Sequence, residues 1–379
     1  MRTLIAIVLC TLLLGCQRGA EPSSLSTAQT SPPITDQTGR FAIDPKFSNS
    51  SSFSDGLAAV QVIEGKTAKW GFIDKQGKMV IDPQFEFASS FSDGLAAVQV
   101  IDGKTTKWGF IDKQGNVVIK PQFEFATSFS DGLAPARIVE GKTAKWGFID
   151  KEGKTVINPQ FDLVGSFADG LAAVKINDTK TNKWGFIDKD GKMVIKPQFE
   201  LVTPFSDGLA AVQIGSGKTA KWGFIDKQGN MVIKPQFDRG SPFSEGLAAV
   251  RQGNEKSGKW GFIDKQGNMV IKPQFDDFLS FSEGLASVQI GNDKSGRWGF
   301  IDKQGKTVIA PQFNSEGGFI SGLAAVQAGD AATGKWGYID KQGSMVIKPQ
   351  FAQSSDFSEG VAAVRVRSKT SDSWGYINR

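Results

Sequence analysis

"KWGFIDKQGKMVIDPQF", residues 69–85, returns as "KWGFIDKQGNVVIKPQF" at 107–123. Its reading decides the fold. Trp70, Phe72 and Asp74 alternate with Gly71 and Ile73, the two-residue period of a β-strand. "KQG" is a tight reversal. Gly77 suits the left-handed position of a three-residue hairpin loop with a bulge. "KMVI" is the returning strand, and its apolar residues on both faces predict burial on both. Pro83 has no N–H to give to a ladder, so it ends or bends that strand.

Working outward, "QFEFASSF" precedes a turn at "SDG". "LAAVQV" then reads as a further strand, whose small Ala96 and Ala97 admit a neighbouring sheet. "IDGKTTK" leads back to the next Trp. Trp70, Trp108, Trp146, Trp184, Trp222, Trp260, Trp298, Trp336 and Trp374 recur at intervals of 38 residues, each followed by Gly. With no insertion anywhere, every unit occupies the same geometric slot. Three antiparallel strands per unit would invert alternate units, so Pro83 to Phe91 must supply a fourth strand or an extended return. Four short strands per unit approach one propeller blade of ~40–45 residues.

The first unit, "DQTGRFAIDPKF", lacks its Trp strand, and the last stops at "SWGYINR" just after its own. Together the ends complete one hairpin, and an open stack would leave Trp374's strand unpaired at an edge. The expected fold is all-β: nine tandem 38-residue β-repeats in a closed propeller-like toroid. An open β-solenoid or superhelix is the alternative, because whole-unit duplication also leaves offset ends. The recurring Trp-Gly pairs resemble the WG-repeat family of bacterial proteins, over roughly residues 39–379. That resemblance specifies a repeat type and implies no common catalytic role.

"MRTLIAIVLCTLLLGC" has one positive charge and then an apolar run from Leu4 to Leu14, the layout of a secretory signal. Leu13-Leu14-Gly15-Cys16 resembles a bacterial lipobox, which implies cleavage between Gly15 and Cys16 and lipidation of Cys16. Several acyl chains on one residue make a durable anchor. The expected organisation is a signal peptide at 1–15, the lipidated Cys and a Ser/Thr/Pro linker at 16–37, and the repeat domain at 38–379. The expected location is the bacterial cell envelope, lipid-anchored to the outer membrane or cell surface and facing periplasm or exterior. Gln17, where an Asp would signal inner-membrane retention, favours the outer membrane.

The chain has no His, and its two Cys both lie in the first sixteen residues. The body therefore has no imidazole base, thiol nucleophile or disulfide, which excludes His-based triads and His- or Cys-ligated zinc. No cofactor or metal is expected. Net charge is +5 with interspersed signs, so nucleic acid is not an expected partner.

The recurring Trp, Phe72, Phe85 and Phe91 read as a repeated core, with a carbohydrate-stacking platform as the alternative. Asp74, Asp112 and their equivalents lack EF-hand spacing and read as turn residues. The acid of "FSDG" (Asp55, Asp93, Asp131, Asp169, Asp207, Glu245, Glu283, Glu359, with Ser321 in one unit) reads as a turn or a local cap of backbone N–H groups. "GKT" lacks the earlier Gly of a phosphate loop and leads into a strand. The windows after Pro-Gln-Phe and before Trp vary between units, as binding loops on a constant scaffold do, although drift at tolerant loops gives the same pattern. The leading functional reading is a non-enzymatic, membrane-anchored scaffold that binds an envelope protein. The alternative is a binder of cell-wall or surface glycan through Phe87, Phe125 or Phe278. An Asp/Glu/Lys enzyme ranks third.

Overall fold

The computed structural model describes residues 40–379 except 142, 178–181, 254–256, 292–295, 330–332 and 368–371. The expected signal peptide, Gly15, Cys16 and the linker lie outside the described residues. Nine antiparallel four-stranded sheets form the nine blades of a β-propeller. Blade 1 contains Asn49–Ser50, Ala58–Glu64, Thr67–Ile73 and Met79–Phe85, paired in that order. Blades 2 to 8 repeat this plan over 87–123, 125–161, 163–199, 201–237, 239–275, 277–313 and 315–351. Blade 9 takes Gln353–Ser354, Val361–Arg367 and Asp372–Asn378 from the end of the chain and Phe41–Phe47 from its start. The ring is closed, and the open-solenoid alternative is set aside.

The sheet order also supplies the fourth strand that the parity of the repeat demands. It is only two residues long, Phe87–Ala88 in blade 2, and pairs Phe87 with Gln99. Each hairpin has its own turn chemistry. Asp74 N–H donates to Lys78 O (3.0 Å) and Gly77 N–H to Asp74 O (2.9 Å), with Gly77 at φ 76°. This is the three-residue bulged loop that "KQG" implies. Ser92 and Leu95 exchange both backbone hydrogen bonds across Asp93 (φ 57°) and Gly94 (φ 85°). Left-handed residues at both central positions match the twist of the strands they join.

Gly71 explains the invariable partner of Trp. A Cβ there would sit 2.5 Å from Ile81 O and 2.8 Å from Pro83 N. The fourth strand bulges towards the third at Pro83, so Trp70 faces Phe85 while Phe72 faces Ile81. Pro83 bends this strand without ending it, and it sits where a proline is tolerated, in a bulged edge strand.

One expectation is corrected here. The returning strand is not buried on both faces. Ile81 is buried, but Val80 is 41 % exposed, and Val118, Val156, Val194, Val232, Val270 and Val308 share its exposure. The apolar "MVI" run mimics a two-faced core strand, whereas the strand lies at the sheet edge and only one face meets the neighbouring blade.

The core is divided among the blade junctions. Trp70, Phe72, Ile81 and Phe85 of blade 1 meet Ala88, Phe91, Ala96, Val98 and Ile111 of blade 2. Large residues from one blade thus lie on small and branched ones from the next, and the same layer recurs around the ring. Phe72 and Phe91 cross this boundary with ring centroids 4.8 Å apart. Burial of each ring contributes about 1.5–3 kcal/mol, and the aromatic pairing about 0.5–1.5 kcal/mol more.

The "FSDG" turns link successive blades. Ser54 Oγ donates to Phe91 O (2.7 Å), and Gly94 N–H donates to Asp55 Oδ2 (2.9 Å). The links cross the seam as well: Ser358 donates to Phe53 O (2.7 Å), and Gly56 N–H to Glu359 Oε1 (3.2 Å). The acid therefore caps an N–H of the next blade, not of its own turn.

Candidate binding surface

Away from these turns, four residues stand side by side across each blade. In blade 1 they are Asn49, Gln61, Trp70 and Phe85. In blade 2 they are Phe87, Gln99, Trp108 and Phe123. Trp and the fourth-strand Phe recur because they belong to the junction core. The first-strand slot is free to vary, and its variation is grouped. It holds Phe87, Phe125, Leu163 and Leu201 in blades 2 to 5, then Arg239, Asp277, Ser315, Gln353 and Asn49 onward to blade 1.

Phe87 is 42 % exposed, Phe125 38 % and Leu201 42 %, while Leu163 is half-buried. Phe87 lies between Trp70 (centroids 5.8 Å) and Trp108 (5.5 Å), and Phe125 between Trp108 (4.8 Å) and Trp146 (5.8 Å). Five rings thus form one ladder over blades 1 to 3. Phe87 and Phe125 are flanked on two sides by indoles. Ile63, Ile101 and Val139, near the tips of the second strands of the same blades, are also exposed. Ile63 and Ile101 project from the same sheet face as the ladder row, two residues beyond Gln61 and Gln99.

The Trp residues divide into two groups. Trp70, Trp108 and Trp222 are buried, whereas Trp146, Trp184, Trp260, Trp298, Trp336 and Trp374 are half-buried. All lie at blade junctions, and none stands free as a platform. Phe278 departs from its expected place on the surface. It occupies the slot of Ala88, one residue later than Phe87, and is half-buried against Trp260 (4.5 Å) and Phe262 (5.9 Å). Asp277 takes the place of Phe87 and Phe278 that of Ala88, and in a strand one position changes the face.

Ion pairs border the row. Lys69 pairs with Glu86, Lys145 with Asp162 (2.5 Å), Lys183 with Glu200, Lys221 with Asp238 (2.6 Å) and Lys259 with Asp276. Each joins the Lys before Trp to the acid after Pro-Gln-Phe. Burial pushes the Asp238 carboxyl up, but hydrogen bonds from Lys221 and Gly253 and the charges of Lys221 and Arg251 hold it below its ordinary range. Sequence reasoning missed these pairs. Their signal was present, since both charges recur, but the two residues are seventeen positions apart and meet only through the bulge at Pro. At the other end, Asp74 Oδ1 accepts from Gln76 N–H (3.0 Å) and Lys78 N–H (2.9 Å), the local turn role expected of it. Among the described residues no helix is long and apolar enough to cross a membrane.

Solved structures with this architecture include a crystal structure of the eukaryotic initiation factor. It is 15 % identical, with 86 % of this chain and 94 % of that chain covered at a TM-score of 0.59, a likeness of fold alone. Prolyl oligopeptidase B from Galerina marginata is 11 % identical at a TM-score of 0.43, with 79 % of this chain and 55 % of that chain covered. This chain therefore spans little more than half the length of that enzyme. No curated protein matches the sequence. The model of the WG containing repeat matches nine times, at 36–66, 70–104, 108–142, 146–179, 184–218, 222–255, 260–293, 298–330 and 336–369. With its repeats accounting for most of its length, the chain belongs to the WG-containing-repeat family.

Proposed function

We propose that the protein is a non-enzymatic binding scaffold, held at the bacterial envelope by lipid on Cys16, that docks another protein on the apolar arc of blades 2 to 5. The observation that carries this reading is the grouping of the first-strand slot, apolar through Phe87, Phe125, Leu163 and Leu201 and polar elsewhere. Contiguous exposed apolar side chains mark interaction sites. Aromatic residues are also enriched where partners bind tightly.

A glycan is the second reading, supported by the exposure of Phe87 and Phe125. Sugars stack on open ring faces, however, and both rings are flanked by indoles. Flanked rings together with exposed Ile63 and Ile101 on the same sheet face suit apolar protein side chains better.

The test is site-specific photocrosslinking of the full chain in the source bacterium, with a photoreactive residue at Phe87 and, as control, at Arg239. The expected result is one protein adduct from position 87 that is absent from position 239 and lost in Phe125→Ala. Equal labelling from both positions, or capture of glycan alone, would sink the protein-docking reading.

A further inference from the structure

The turns that link the blades hold a carboxylate in a repeated setting. At the junction of blades 9 and 1, the Glu359 carboxylate accepts from Gly56 N–H (3.2 Å) and pairs with Lys75 (3.1 Å). At the junction of blades 6 and 7, Glu245 accepts from Gly284 N–H (3.0 Å) and pairs with Lys303 (3.0 Å). At that of blades 7 and 8, Glu283 accepts from Gly322 N–H (2.9 Å) and pairs with Lys341 (3.1 Å). One blade supplies the acid, and the next supplies the N–H and the cation.

Between blades 8 and 9 the sequence keeps the receiving half and omits the acid. Ser321 stands in the acid's slot, with the same left-handed backbone (φ 54°), and Ile320 stands in the slot of the linking Ser. "WGYINR" at 374–379 aligns with "WGFIDK" at 70–75, so Arg379 takes the place of Lys75. Its guanidinium reaches blade 8 as the lysines reach their own neighbours: a Cβ on Gly322 would lie 3.0 Å from Arg379 Nη2. Arg379 N–H donates to Gly360 O (3.3 Å), which holds the residue on the blade 9 turn. Glu359, the acid of the adjoining turn, serves Gly56 and Lys75. Ser321, Gly360 and Arg379 are all exposed.

We propose that the junction of blades 8 and 9 binds a carboxylate presented by a peptide or protein, held by the Gly360 N–H and the Arg379 guanidinium beside Ser321. The ligand completes the cap that Glu359, Glu245 and Glu283 make at their junctions. Arg in place of Lys fits this role. Its planar fork grips a carboxylate with two parallel hydrogen bonds, an advantage where the anion arrives from outside and must be oriented on binding. The site lies at the turn end of the blades, away from the aromatic ladder, and does not depend on what docks there.

The test is an NMR titration of the full chain carrying ¹⁵N-glycine, at fixed ionic strength with chloride as control. One probe is acetyl-Ala-Glu-Ala-amide, with a side-chain carboxylate, and the other is acetyl-Ala-Ala-Ala with a free C-terminus. The Gly360 amide proton is expected to move downfield and saturate with at least one probe. The responding probe identifies side chain or chain end as the source. Ser321→Asp supplies the missing acid internally, so its Gly360 resonance should start shifted and no longer respond. Arg379→Gln should weaken binding about tenfold or more, the usual effect of losing a charged hydrogen bond. No saturable shift with either probe, or an undiminished response in Ser321→Asp, would overturn the proposal.

Discussion

Trp374, in the last strand of the chain, lies in register with Phe47, in the first. That pairing makes blade 9 from two ends and closes the ring. It predicts that removing residues 372–379 costs far more than trimming a frayed terminus. Tyr376 and Ile377 are fully buried, and losing two such side chains costs at least ~3 kcal/mol. The truncated chain should melt well below the parent in a calorimetric scan. An unchanged melting temperature would contradict closure.

Gly71→Ala should be severely destabilising, because its Cβ would meet backbone that cannot rotate aside. We expect a loss of about 1–3 kcal/mol or more, as for an overpacked core. Gly94→Ala is the control. Its φ is 85°, but nothing lies within 4 Å of the added carbon, so only left-handed strain of about 1 kcal/mol applies. Denaturant titrations of the two variants should rank them in that order.

Ala168 interrupts the series of turn serines at the junction of blades 4 and 5, where Asp169 still caps Gly208 N–H (2.9 Å). Ala168→Ser should add a hydroxyl bond to Phe205 O and raise stability by about 0.5–1 kcal/mol. Ser92→Ala, which removes the bond to Phe129 O (2.8 Å), should lower it by a similar amount. If the two changes had the same sign, the inter-blade bond would not be the cause.

Glu316 should make the ring sensitive to alkali. Burial, and then the charge of Asp277, push its carboxyl up to about 9. Its Oε2 is buried without a hydrogen-bond partner among the described residues. Below the ordinary glutamate range both folded and unfolded chains hold the proton. Between that range and about 9 only the folded chain does, so stability falls as pH rises, by at most ~1.4 kcal/mol per pH unit. Above that, both states are ionised and the fall stops. Ala88 and Ala126 fill the same slot in blades 2 and 3. Glu316→Ala should therefore fold and should flatten the fall across pH 5–9 in denaturant titrations. An unaltered slope would assign the titration elsewhere.

Much of the architecture was legible in the repeat. The alternation around Trp70, the Gly77 loop and the constant interval specify hairpins and their number, and parity demanded the fourth strand. The offset ends pointed to closure. Two readings went astray for one reason. "KMVI" suggested burial on both faces, and Phe278 suggested exposure, because apolar character states what a side chain prefers and not which neighbour covers it. The role of Asp55 was half legible. Its left-handed turn is local, but the N–H that it caps belongs to Gly94 in the next blade.

By itself, the sequence determined strands, turn types and blade count, since these follow from residue period and backbone sterics within one unit. Tertiary structure alone decided which edge strands meet water, which acid serves which neighbour, and that Phe87 and Phe125 are wedged between indoles while Phe278 turns inward. Those properties depend on contacts between units, and a contact between units is settled only when the ring brings their faces together.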